Sequence, residues 1–151
     1  PGTENVAAVI GFARAAELAV AEREEEWQRL EALRNRLEEK ILARIPDAMI
    51  HGRSAAARAP HIVNVSVPGT DSESMLMALD LRGIGCSAGS ACQSGSIEPS
   101  HVLSAIGVEP DMASSAIRMS LGALTTDTAI DRVAEVFSAL VDKARGAARV
   151  G

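Results

Sequence analysis

The apolar periodicity of the chain first changes at Ile45-Pro46, and that change limits it to a fold built from both helices and a sheet. Before it, apolar residues recur every three or four positions; after it, they recur at every second position or in short bursts. The run from about Asn5 to Ala21 carries Val6, Val9, Ile10, Ala13 and Leu18 at helical spacing, with Glu4 near the positive end of the helix dipole. A second, longer helix is expected from about Glu24 to Ile45. Its inward stripe is Trp27, Leu30, Leu33, Leu37, Ile41 and Ile45, and Glu25/Arg29 and Arg34/Glu38 are spaced to pair across its exposed face. The stripe stops at a proline, which favours a helix packed on its own domain over a coiled coil.

Beyond Pro46, Ala48-Met49-Ile50 reads as an edge strand, and Val63, Val65 and Val67 alternate with Asn64 and Ser66 in a second strand ending at Pro68-Gly69. Glu73 to Leu81 returns to helix, with Met75, Leu76 and Leu79 inward and Gly83 as terminator. Ile84 to Ser87 is expected as a short strand. A helix start follows at Ser96-Ile97-Glu98-Pro99, and Gly107 closes that helix after Ile106. In the strand Ile117 to Leu121, the apolar Ile117, Met119 and Leu121 share one face, so Arg118 and Ser120 project from the other. Thr125-Thr126-Asp127 caps a closing helix whose Ile130, Val133, Phe137, Leu140 and Val141 face inward, with a frayed tail expected beyond Lys143. The fold class is therefore α+β, a small antiparallel sheet flanked by helices.

Two positions carry chemistry. Cys92 sits in Gly89-Ser90-Ala91-Cys92-Gln93-Ser94-Gly95-Ser96, a run of small residues that cannot build a core and is expected to form a mobile loop. A thiol on such a tether can reach a bound substrate and then an acceptor, whereas Cys86, at the end of an apolar run, reads as a buried and inert cysteine. Arg118, held on a strand, offers a rigid fork suited to a carboxylate, although the pattern alone favours an exposed surface arginine.

Composition narrows the function classes. The net charge of −5 and a basic complement with only two lysines, Lys40 and Lys143, argue against a nucleic-acid surface. No apolar run reaches the length of a membrane span, and a reducing cytoplasmic setting is the default for two cysteines that one short disulfide would stabilise little. The cysteines and His51, His61 and His101 lack the paired spacing of a zinc site, so no metal centre is expected.

Four separated segments resemble one family. Gly89-Ser90-Ala91-Cys92, continuing through Glu98-Pro99-Ser100-His101-Val102-Leu103, is similar to the active-site cysteine segment of the NifS/IscS-type cysteine desulfurases, in the group with the flexible GSAC loop. Gly2-Thr3-Glu4-Asn5 resembles the family's GT-x-N turn. His61 to Ser66 resembles its central strand, and Ser115 to Gly122 followed by Thr125-Thr126 its substrate-arginine strand.

The resemblance implies the C-terminal, small-domain part of a class V aminotransferase fold, related to aspartate aminotransferase, with residues 1–22 as the last helix of the large domain and 23–151 as the small domain. It implies a homodimeric, pyridoxal-phosphate enzyme that takes sulfur from L-cysteine, leaves alanine, and carries the sulfur as a persulfide to an acceptor such as an iron-sulfur scaffold or a tRNA-thiolating enzyme. In that scheme Cys92 is the nucleophile and persulfide carrier, Arg118 clamps the substrate carboxylate, and Thr3 reaches the cofactor phosphate of the partner subunit. His101 stands where the family tolerates His or Tyr and is read as a helix residue.

The family's cofactor-binding lysine, in a histidine-lysine motif upstream of the GT turn, has no counterpart in this chain. The N-terminal large domain is therefore expected on a missing portion, with Pro1 opening a piece of a longer chain that is inactive alone. A basic residue that the family often carries is replaced by Ala123. A free-standing sulfur-carrier or scaffold-binding module, and a selenocysteine lyase of the same fold, are the alternatives.

Overall fold

The computed structural model describes residues 2–88 and 100–148. The first element is one helix where two were expected: α1 runs unbroken from Val6 to Arg44. Its N-cap is Asn5, whose Oδ1 accepts from the Ala8 N–H at 3.1 Å. The run Ala21-Glu22-Arg23-Glu24 interrupts the apolar pattern but contains neither glycine nor proline, and strong helix formers carry the backbone across it. The helix stops at Ile45, which leaves helical geometry because Pro46 follows.

Strands β1 (Met49–Ile50), β2 (Ile62–Ser66) and β3 (Ile117–Ser120) form an antiparallel sheet in the order β1-β2-β3. Val63 and Val65 of β2 lie opposite Met119 and Ile117 of β3. These four residues and Val67 form the floor of the core. Helices α1, α2 (Ser72–Asp80) and α5 (Asp127–Ala148) cover that floor with Leu33, Leu37, Ile41, Met75, Leu79, Phe137 and Val141. Phe137 is fully buried, and burial of such a side chain is worth about 2–3 kcal/mol.

On the far side of the sheet, the short helices α3 (His101–Ala105) and α4 (Pro110–Ser114) meet through a small separate cluster of Leu103, Ala113 and Ala116. Helix α4 was not among the elements expected from the sequence. Its five residues are too few to show a period, and Glu109-Pro110 is its only signal, a proline in the first turn. Ser100 is the N-cap of α3, so the start expected at Ser96 to Pro99 falls outside the described residues. Gly107 closes α3 with φ of 80° and Gly83 follows α2 with φ of 70°, conformations that favour glycine.

Several expectations were altered by packing. The core contact of α1 begins only at Leu30, so Trp27 is 46% exposed rather than inward. Arg34 and Glu38 do not pair on an exposed face; both are buried. Arg34 donates to the Ala59 carbonyl and to Glu31, while Glu38 is held by Arg58 and Arg53, which pins the 51–61 connection across α1. Arg29 pairs with Glu26 instead of Glu25 and donates to the carbonyls of Gly122 and Thr125, tying α1 to the turn after β3. Nor does the chain fray at Lys143. Helix α5 continues to Ala148, with Arg145 bonded to Asp47 at 2.6 Å and to the Pro68 carbonyl.

Candidate functional site

The alternation that buries Val63 and Val65 turns Asn64 and Ser66 to the opposite face of the sheet, and the register brings Arg118 directly across from Asn64. Ile84 to Ser87 was expected as a full strand. Only Ser87 pairs, but it pairs with Arg118: the Ser87 N–H donates to the Arg118 carbonyl at 3.0 Å and the Arg118 N–H to the Ser87 carbonyl at 2.7 Å. On the other edge, the His51 N–H donates to the Asn64 carbonyl at 2.9 Å. His51, Asn64, Arg118 and Ser87 thus form one half-buried polar row across the sheet, on the side away from the core.

One end of this face is closed by α4. The fully buried Ser66 hydroxyl donates to the Met112 carbonyl at 2.6 Å, and the Ser115 hydroxyl accepts from the Val67 N–H at 3.2 Å. With its proton committed to Met112, Ser66 receives the His51 Nε2–H at 2.7 Å. Burial also holds the His51 imidazole below its ordinary pKa, so the ring is neutral at pH 7. The row therefore offers one fixed cation, Arg118, flanked by neutral polar groups. Such an arrangement suits a carboxylate that needs one strong partner and geometric restraint.

The other sequence-identified residues fall in different places. Cys92 lies outside the described residues. It follows Ser87 by five positions, a covalent span of at most about 17 Å. Thr3 is exposed in the short segment before α1, and Val6 to Leu30 alone is about 36 Å of helix. Thr3 is therefore not brought to Arg118 within one protomer. Cys86 is half-buried against the core, and desolvation pushes its thiol pKa up to about 11, so it is almost wholly protonated at neutral pH. His101 is exposed at the start of α3.

Sequence reasoning did not single out Asn64, His51 or Ser66. Asn64 and Ser66 carried a signal, their alternation with three valines, but their partners become visible only once the register is known. Among the described residues, no cluster of His, Cys, Asp and Glu could hold a metal ion, and no helix is long and apolar enough to cross a membrane. Neither lysine is placed to anchor pyridoxal phosphate beside Arg118. Lys40 is on α1, paired with Asp131 of α5 at 3.2 Å, and Lys143 is exposed on α5; both belong to the helical layer on the other side of the sheet.

The chain resembles known proteins over nearly its whole length. It is 42% identical over 144 residues to the cysteine desulfurase IscS of Dictyoglomus turgidum, an alignment covering 95% of this chain and 36% of the relative. To the IscS of Methanosarcina thermophila it is 44% identical, covering 95% of this chain and 35% of that protein. The solved NifS-like protein of Rickettsia africae superposes with a TM-score of 0.79 at 33% identity, over 94% of this chain and 36% of that one. The chain thus spans about a third of the length of the relatives it matches. A sugar aminotransferase of Streptococcus pneumoniae, at 13% identity and a TM-score of 0.67, shares the fold alone. The model of the family described as aminotransferase class-V matches residues 1–133, and the chain belongs to that family.

Proposed function

We propose that this chain is the substrate-clamping and sulfur-accepting part of a cysteine desulfurase of the flexible GSAC-loop group, acting on L-cysteine. The observation that carries the proposal is the bridge between Ser87 and Arg118, because it ties the segment leading to Cys92 to the arginine on the polar face. Arg118 pairs with the substrate carboxylate through its planar fork and fixes which end of the amino acid faces the sheet. Thus oriented, the substrate presents its sulfur to Cys92. The Cys92 thiolate forms a sulfur–sulfur bond as the carbon–sulfur bond of the substrate breaks. The electron pair of the broken bond stays with the carbon, which gains a proton and leaves as alanine, and the sulfur remains on Cys92 as a persulfide.

Pyridoxal phosphate supplies the electron sink for such a reaction when bound. The lysines of this chain do not fit its anchoring site, so the cofactor is assigned to the portion of the relatives that this chain does not span. Residues 1–22 are assigned to that large-domain side and 23–151 to the small domain. Two features support the division: Val6, Val9, Ile10, Phe12 and Val20 are all exposed, and the core contact of α1 begins at Leu30. The distance of Thr3 from the sheet supports its role at the cofactor phosphate of the partner subunit in a homodimer. The persulfide passes to an acceptor protein such as an iron-sulfur scaffold or a tRNA-thiolating enzyme, in the cytoplasm. The placement of the lysines favours one second reading, a sulfur-carrier module without cofactor chemistry of its own.

In the enzyme assembled with the unspanned portion, Cys92→Ser should abolish sulfide release from L-cysteine, by a factor of about a thousand or more, while the cofactor absorption band stays. Alkylation after a single turnover should trap one extra sulfur on Cys92 in the unaltered protein. Sustained desulfuration by the serine variant would refute the assignment. A chain that accepts sulfur from a donor persulfide yet never joins a cofactor-binding assembly would favour the carrier module.

A further inference from the structure

We propose that Asn64 is a positioning residue for Arg118, its side-chain oxygen accepting from the guanidinium when that group holds a substrate carboxylate. This rests on the reading of Arg118 as the carboxylate clamp. The register supplies the first observation: Asn64 and Arg118 are direct cross-strand partners. Arg118 uses both of its backbone groups on Ser87, and the Leu121 N–H bonds the His61 carbonyl, so Asn64/Arg118 is a pair of the non-hydrogen-bonded kind. In such pairs the α-carbons are about 4.5 Å apart and the side chains are at their closest.

The second observation is an open acceptor. Asn64 Oδ1 is buried without a hydrogen-bond partner, the one side-chain atom of this sort among the described residues. A buried carbonyl oxygen left unpaired is costly, and folds that retain one keep it for a reason other than stability. The third observation removes two neighbouring donors. The Ser66 hydroxyl is committed to the Met112 carbonyl and the His51 Nε2–H to Ser66, so neither serves Asn64.

Arginine has five N–H donors, and a carboxylate gripped side-on takes two. An acceptor beside the fork then fixes its plane without drawing on the same hydrogens. A neutral amide oxygen suits this position, whereas an aspartate would compete with the substrate carboxylate for the cation.

The test is a double-substitution cycle in the complete desulfurase, read as kcat and KM for L-cysteine together with the melting temperature. Asn64→Ala should lower kcat/KM about tenfold, chiefly through KM, without lowering the melting temperature, because it removes an unpaired buried acceptor. Asn64→Asp should also raise KM. Added to Arg118→Ala, Asn64→Ala should have no further effect. Equal losses in both backgrounds, or an unaffected KM in Asn64→Ala while Arg118→Ala is severely impaired, would overturn the proposal. So would a fall in melting temperature matching the loss of activity, since that marks a merely structural role. A near-normal Arg118→Ala would instead defeat the clamp reading and the proposal with it.

Discussion

The two faces of the three-stranded sheet are made by alternate residues of the same strands, yet they do opposite work. Val63, Val65, Ile117 and Met119 point into the helical layer and are almost completely buried. Asn64 and Arg118 point the other way and are only half covered, with one unpaired oxygen and one fixed cation between them. The apolar face anchors the strands in the core, and the alternation sets Arg118 and Asn64 side by side on the polar face. A substitution on the core side should therefore be felt as lost stability, and one on the outer side as lost function.

The largest expected effect belongs to the core layer. Phe137→Ala should destabilise by about 3–5 kcal/mol, as for other fully buried aromatic residues, with a matching drop in the denaturation midpoint. A loss below about 1 kcal/mol would mean that the core is looser than its burial implies. Cys86 tests the boundary between core and site. Cys86→Ser should cost about 1 kcal/mol and leave most desulfurase activity, and the Cys86 thiol should resist alkylation at neutral pH because its pKa is about 11. Rapid labelling of Cys86 at pH 7 would contradict its placement.

The smallest effect concerns pH. Since burial lowers the folded pKa of His51, the unfolded chain takes up this proton first as pH falls. The corresponding stability is present above about pH 6.5 and is lost as pH drops through the folded pKa. His51→Gln, which keeps a donor toward Ser66, should flatten that part of the stability curve; an unchanged slope would show that His51 is not desolvated.

Much of this division was legible in the sequence. The valine alternation and the Ile117/Met119/Leu121 pattern predicted both strands and put Arg118 opposite the core, because period-two burial depends only on local order. Long-range effects were not legible. The fusion of two expected helices into α1 follows from propensity across a stretch where the apolar stripe lapses. The burial of Arg34 and Glu38 depends on Arg58, Arg53 and Ala59, which nothing local ties to α1. Asn64 was visible as an outward residue. Its importance appears only when the register sets it beside Arg118 and its oxygen is found without a partner.

If the polar face binds a carboxylate through Arg118, as proposed, then kcat/KM for L-cysteine and the melting temperature should respond differently to Arg118→Ala. Loss of a charge-assisted, two-pronged contact predicts a fall in kcat/KM of about a hundredfold or more, with Arg118→Lys intermediate and the melting temperature shifted by no more than about 2 °C. An alanine variant that uses L-cysteine at near-normal efficiency would contradict the account, returning Arg118 to the status of a surface arginine on an otherwise structural sheet.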